Sequence, residues 1–160
     1  MLDTAHINPL GGTFSNELAT GADLAEQSIE DLIIQIMGAQ NSRGLQISLM
    51  PESLHIPRQE VFNADRILKS TLQNDSANNA INALRAGNYI PKVRVNHYFT
   101  NASNWFIRTN CPAGMKGFWR KKPELTKDND FGTKNALAAT YFRMSVGCTD
   151  PLGIFGSEGP

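Results

Sequence analysis

LQISLMPESLHIPRQEVFNADRIL, residues Leu45 to Leu68, is the stretch whose reading decides the fold, and it reads strand, turn, strand, helix. Leu45, Ile47 and Leu49 alternate with polar partners as a half-buried strand requires, and Pro51, with no N–H to give, is expected to stop that ladder. Leu54 and Ile56 resume the alternation. Pro57 then falls where a first helical residue belongs, its φ already suitable, and Val61, Ala64 and Leu68 recur behind it at helical spacing. The segment predicts a short sheet packed against a helix.

Upstream, Met1 to Gly21 is irregular, because Asn8-Pro9 and Gly11-Gly12 break any periodicity. A helix follows. Asp23 with Glu26 three residues later makes a cap and partner, and Ala25, Ile29, Leu32, Ile33, Ile36 and Met37 form one apolar stripe that Gly38 ends. Downstream, KSTLQNDSANNAINALRAGNY is rich in Asn, Ser and Ala, which predicts an exposed excursion with at most a short helix around Ala80 to Leu84. Lys92 to Phe99 restores period two and predicts a strand with Val93, Val95, His97 and Phe99 on one side. Trp105-Phe106-Ile107 and Met115 to Lys122, separated by Pro112 to Gly114, are expected to form a hairpin. After a polar loop, Lys127 to Asn135, the run Leu137 to Val146 alternates again, with Thr140, Phe142, Met144 and Val146 on one face. There is no internal repeat.

A chain of 160 residues suits one domain, or one domain and a small lobe, and can bury roughly 70% of its unfolded surface. No apolar run approaches the ~18 residues of a membrane helix, and the N-terminus, with Asp3 and His6 but no basic residue, does not resemble a signal peptide, so no membrane association is expected. Cys111 and Cys148 have no metal-ligand spacing and read as free thiols in a reducing compartment. The zero net charge hides a split. Residues 1–80 hold 4 Lys/Arg against 10 Asp/Glu, a balance of −6, and residues 81–160 hold 11 against 5, a balance of +6. Such halves either interleave and cancel, or give faces that meet head to tail between copies.

Catalytic and metal chemistry find little support. His6, His55 and His97 lack the i, i+4 spacing of helix-borne ligands, Cys111 has no nucleophile signature, and no GxxxxGK[ST], GxGxxG or GxSxG occurs. Gly153-x-x-Gly156 is too short to cradle a phosphate and reads as turn glycines. No cofactor is expected. One segment has a nucleic-acid-binding composition: Lys116, Arg120, Lys121 and Lys122 with Phe118 and Trp119 between them, cations for phosphates and an indole for stacking. Against it, alternation sends Phe118 and Trp119 to opposite faces, and a Lys-rich strand also guards a sheet edge. Lys116, Trp119, Arg120, Lys121 and Lys122 are therefore candidates for nucleic-acid or inter-subunit contacts.

The order of these pieces resembles the C-terminal half of a tailed-phage major capsid protein with the Johnson, or Hong Kong phage-type, fold. Thr4-Ala5-His6, Gly11-Gly12 and Asn16 are similar to that family's Ser/Thr-x-His segment, its glycines and its Ser-Asn ahead of a helix. Pro51, Leu54 and Pro57 match its Pro-x-x-Leu-x-x-Pro, and Trp105-Phe106 its Ala-Trp-Phe strand. Arg143, Ser145-Val146-Gly147, Thr149-Asp150, Gly153-Ile154 and Gly156-Ser157 resemble the family's closing pattern, with Met144, Cys148 and Pro151-Leu152 departing from it. The family's N-terminal arm, extended hairpin and spine helix have no counterpart in these 160 residues.

The resemblance implies an α+β fold with a mixed, mainly antiparallel sheet flanked by two helices. It divides the chain into a lead-in over 1–22, an axial-type domain over 23–136, and a C-terminal strand and tail over 137–160 that return toward a peripheral domain. It implies a structural subunit of a bacteriophage head with no enzymatic activity, whose partners are copies of itself in hexamers and pentamers. Other capsid components and non-specifically held DNA would join them, in the virion and, during assembly, in the bacterial host cytoplasm. A small nucleic-acid-binding module built on Lys116 to Lys122 is the alternative.

Overall fold

Pro51 opens a strand where the alternation predicted it would end one. In the computed structural model, which describes residues 2–73, 80–112 and 114–160, Leu45–Leu49 makes only the single bridge Gln40↔Gln46. Asn41 closes the preceding turn, its side-chain oxygen accepting from the Arg43 and Leu45 N–H groups at 2.8 and 3.1 Å. The regular elements are β1 (His6–Ile7), β2 (Thr13–Phe14), α1 (Glu26–Met37), β3 (Pro51–Pro57), α2 (Val61–Lys69), α3 (Ala83–Ala86), β4 (Val93–Asn96), β5 (Trp105–Thr109), β6 (Met115–Asn129), β7 (Ala136–Cys148) and β8 (Ile154–Ser157). Both neighbours of β3 are in register with Pro51 to Pro57, so the Leu45–Leu49 segment has no strand left to pair with. Pro51 is tolerated because it is the first residue of the strand and sits at a bulge opposite Thr109, where a missing N–H is harmless.

The central sheet runs β4-β3-β5-β8, with β3 parallel to β4 and every other pairing antiparallel. With its helices it makes the chain an α+β protein. Leu54, Ile56, Trp105 and Ile107 are fully buried, and they share one core with Ile29, Leu32, Ile33 and Ile36 of α1, Ala64 of α2 and Phe155 of β8. The expected stripe on α1 therefore holds, except that Ala25 and Met37 are exposed at its ends. Asp23 does not cap that helix. Ala25 is the N-cap, and the Ser28 hydroxyl accepts from its N–H at 3.0 Å and donates to the Asp23 carbonyl at 2.8 Å. Gly38 ends the helix as expected, its N–H reaching the Ile34 carbonyl at 2.9 Å. Pro57 is not a first helical residue; it caps a single 3-10 turn, Arg58–Glu60, which feeds α2.

The predicted hairpin has the wrong partners. Both edges of β5 are occupied, by β3 and β8, and Met115 to Lys122 instead begins β6, which pairs with β7. Trp105 settles the matter locally, since its buried indole donates to the Ala22 carbonyl at 3.0 Å and fixes β5 inside the core. Lys127, Asp128 and Asn129, expected in a loop, extend β6 against Ala138, Leu137 and Ala136. A ribbon exposed on both faces needs no apolar alternation, which is why its polar end reads as loop. The actual turn is 130–135, where Asp130 accepts from Gly132 N and the Thr133 hydroxyl at 3.0 and 2.6 Å. At ~3.3 Å per residue β6 is about 50 Å long, so the ribbon is an arm rather than part of the core.

The predicted strand at Lys92 to Phe99 is shorter than expected, and the small helix lies at Ala83–Ala86, slightly beyond Ala80 to Leu84. The excursion around it is closed by the bridge Leu72↔Ile81; residues 74–79 of the expected loop lie outside the described residues. Residues 137–160 hold both the returning strand of the arm and β8, which belongs to the core sheet.

Candidate functional site

The arm is the part of the chain whose surface chemistry asks for a partner. Ten of its large apolar side chains are at least half exposed, from Met144 at 50% to Phe131 at 98%: Met115, Phe118, Trp119 and Leu125 on the outgoing strand, Phe131 in the turn, and Leu137, Tyr141, Phe142, Met144 and Val146 on the return. Directly opposed residues share a face, so Trp119 lies with Met144 and Gly117 with Val146. Trp119 and Phe142 approach to 6.5 Å between ring centroids at a tilt of 58°. That face is an apolar strip of Trp119, Phe142, Met144, Val146 and Leu125.

The opposite face is charged. Two register shifts build it: one extra residue between Trp119 and Lys121, and another between Lys121 and Glu124. Pro123, which has no N–H for a ladder, lies in the second. Simple alternation puts Trp119 and Lys121 on one face, but the first bulge turns Lys121 over to sit opposite Arg143. Its ammonium pairs with Glu124 at 3.0 Å and lies 5.3 Å from the Tyr141 ring centre. Of the five candidate residues, then, Lys121 joins Tyr141 and Arg143, Trp119 joins Phe142 on the other side, Lys116 stands opposite Gly147, and Arg120 and Lys122 occupy the bulges. The proline was the available signal for one bulge; Arg120 gave none. Residues 115–148 carry 7 Lys/Arg against 3 Asp/Glu, so much of the positive half of the chain is on the arm.

The arm joins the body through a backbone contact. A Cβ on Gly153 would lie 2.3 Å from the Gly114 Cα, and Thr149 donates to the Gly114 carbonyl from both its N–H and its hydroxyl, at 3.0 and 3.2 Å. On the far side of β8, the wholly buried Asn16 ties the lead-in to the sheet. Its amide nitrogen donates to the carbonyls of Ile154 (3.0 Å) and Pro151 (3.3 Å), and its oxygen accepts from the Asp3 N–H and sits 2.9 Å from His6 Nε2.

His6 stacks on Phe14 at 5.2 Å, His97 is exposed, and His55 contacts the Ser53 hydroxyl at 3.0 Å. Burial, followed by the Arg108 and Arg94 cations, holds the His55 imidazole below the usual histidine range. Burial and then the neighbouring Glu30 raise the Glu26 carboxyl, while hydrogen bonds from Thr133 and Gly132 lower that of Asp130. Cys111 and Cys148 form no disulfide, and both thiols approach Asp150, at 3.6 Å to its carboxylate and 3.2 Å to its carbonyl. Among the described residues no three His, Cys, Asp or Glu side chains gather as metal ligands, and no helix is long and apolar enough to cross a membrane.

No protein-family model matches the chain, and no curated protein matches it. Among solved structures, the crystal structure of a virus-like particle from Pyrococcus furiosus is similar over 89% of this chain, at 11% identity and a TM-score of 0.49. The chain spans 55% of the length of that one.

Proposed function

We propose that the chain is a structural, non-catalytic subunit that assembles with copies of itself into a shell, as the C-terminal portion of a tailed-phage major capsid protein. The observation that carries this reading is the arm. A two-stranded ribbon is at best marginally stable alone in water, and one that holds an apolar strip of Trp119, Phe142, Met144 and Val146 open to solvent gains most when another surface covers the strip. A second copy is the fitting partner, because the arm is basic and residues 1–80 are acidic. Motifs from the family resemblance add support, since each has a structural task here: Pro51, Leu54 and Pro57 span β3, and Gly153 to Ser157 form the arm's footing and β8. In this reading the assembled protein belongs to a virion, is made in the bacterial host cytoplasm, and holds enclosed DNA without sequence preference.

Exposed ion pairs contribute only ~0–1 kcal/mol each, so charge sets association rate and register while the apolar strip supplies affinity. Sedimentation velocity over a hundredfold range of protein concentration, at low and high salt, tests this. The expected result is a monomer or weak oligomer when dilute, growing with concentration, more slowly at high salt, and held monomeric by Phe142→Ser with Met144→Ser. A compact two-fold dimer indifferent to salt and to the double substitution would refute it.

A further inference from the structure

A second charged surface lies on the core sheet, away from the arm. The face of β3, β4 and β5 that does not meet the helices carries a cavity of about 410 Å³, lined by Lys92, Arg94, Arg108, Glu52, Ser53 and His55 among others. Pairing explains the convergence: Arg94 is in register with His55 across the parallel ladder, and Arg108 with Ser53 across the antiparallel one, so four alternate positions from three strands point the same way. The bulge between Pro51 and Ser53 adds Glu52, whose carboxylate meets the Arg108 guanidinium at 3.2 Å. His97 completes the rim.

We propose that this cavity is a binding site for a phosphoryl oxyanion. Three cations against one carboxylate leave a local charge of +2, which a phosphate dianion neutralises and a single carboxylate does not. Two of the cations are guanidiniums, whose planar forks suit tetrahedral oxyanions. The Ser53 hydroxyl and the His55 ring, hydrogen-bonded to each other at 3.0 Å, add one neutral donor: whichever of them accepts in that bond keeps its own O–H or N–H for a ligand. The volume is that of a small-molecule pocket, with room for a phosphate and the group it is attached to. Burial first, and then the Arg108 and Arg94 cations, push His55 toward its neutral form, with Glu52 pulling the other way. A bound dianion reverses that push and favours the imidazolium. The inference does not depend on shell assembly, because every group comes from one chain.

The test uses the full chain in dilute solution, with ring signals of the histidines followed by NMR as sodium phosphate replaces sodium chloride at constant ionic strength. Expected are saturable shifts at His55, a rise in its pKa on saturation, and a loss of affinity of about tenfold or more in Arg94→Gln and in Arg108→Gln, while Lys127→Gln on the arm binds as the parent does. A fluorescently labelled single-stranded oligodeoxynucleotide forms the second arm. If it displaces phosphate and moves the same His55 signal, the ligand is a phosphodiester backbone; if only inorganic phosphate does so, it is a free phosphate or phosphomonoester. Shifts no larger in phosphate than in chloride, or shifts that survive both arginine substitutions, overturn the site. Should either variant fail to fold, the His55 titration in the parent protein still decides.

Discussion

Asn16→Ala should destabilise the protein more than the loss of one small polar side chain suggests. The residue is fully buried and its amide is used from both ends, by Ile154 and Pro151 on one side and by Asp3 and His6 on the other. This pattern also fixes the chemistry: the end facing two carbonyls must be the NH₂, so the other end is an acceptor and His6 Nε2 carries the proton. After truncation the Asp3 N–H and the His6 ring, both part-buried, can turn to water, but the Ile154 carbonyl cannot. One buried acceptor left without a partner costs about 1–3 kcal/mol, and the other bonds lost add about 1, giving roughly 2–4 kcal/mol. For a chain of this size that is a fall of about 5–15 °C in melting temperature. Asn16→Asp separates bonding from shape, because it keeps the size and the acceptor but aims a carboxylate oxygen at two carbonyls; it should be at least as harmful as alanine. Urea denaturation followed by the fluorescence of the buried Trp105 measures both. A change below about 0.5 kcal/mol for alanine, or parental stability for aspartate, would refute the reasoning.

Other outcomes follow from the same physical terms. Leu32→Ala, at a fully buried point of α1, should cost about 2–5 kcal/mol in the same urea assay, while Ile34→Ala on the exposed side is nearly silent. Gly156→Ala places a methyl 2.7 Å from the Trp105 carbonyl oxygen and should cost about 1–3 kcal/mol by forcing β5 and β8 apart, whereas Gly147→Ala, with nothing within 4 Å, should melt as the parent does. His55 has a lowered pKa in the folded state, so the unfolded chain takes up its proton first as pH falls. Stability referable to this residue is therefore intact above the ordinary histidine pKa and declines as pH drops below about 6.5, and His55→Gln should flatten the melting temperature between pH 7 and 5.

Elements with a local cause were legible in the sequence. The α1 stripe follows from 3.6-residue spacing alone, and β7 from alternation. Leu54 and Ile56 were legible as a strand from their alternation, but Pro51 and Pro57 were read as a stop and a helix start where they bound β3, and Gly156, read as a turn glycine, lies in β8. What failed was pairing. Nothing near Trp105 says that its strand will lie between β3 and β8, because that choice is made by residues some 50 positions away on either side. Leu45 to Leu49 has a better alternating pattern than the residues after Pro51, yet the available edges were filled by others. The arm was half legible: its strands alternate, but the bulge at Arg120 that separates Trp119 from Lys121 is invisible without the register. The cavity on the sheet was missed for a related reason, since Arg94, Arg108 and His55 are brought together only by two ladders of opposite sense.

The arm's footing at Gly114 and Gly153 also bears on the order in which the molecule folds. Thr109 ends β5 and Ile154 begins β8, so zipping these strands together directly would close a loop of 44 intervening residues. If the arm pairs first, its two strands bring Met115 and Cys148 face to face, and only the 10 residues 110–114 and 149–153 remain free. Closure entropy scales with the logarithm of loop length, so this shortcut lowers the barrier to docking β8 by about 1 kcal/mol. The same ribbon that stands out from the finished body thus works earlier as a splint, and a shortened arm that still ends in a tight turn should leave the core free to fold.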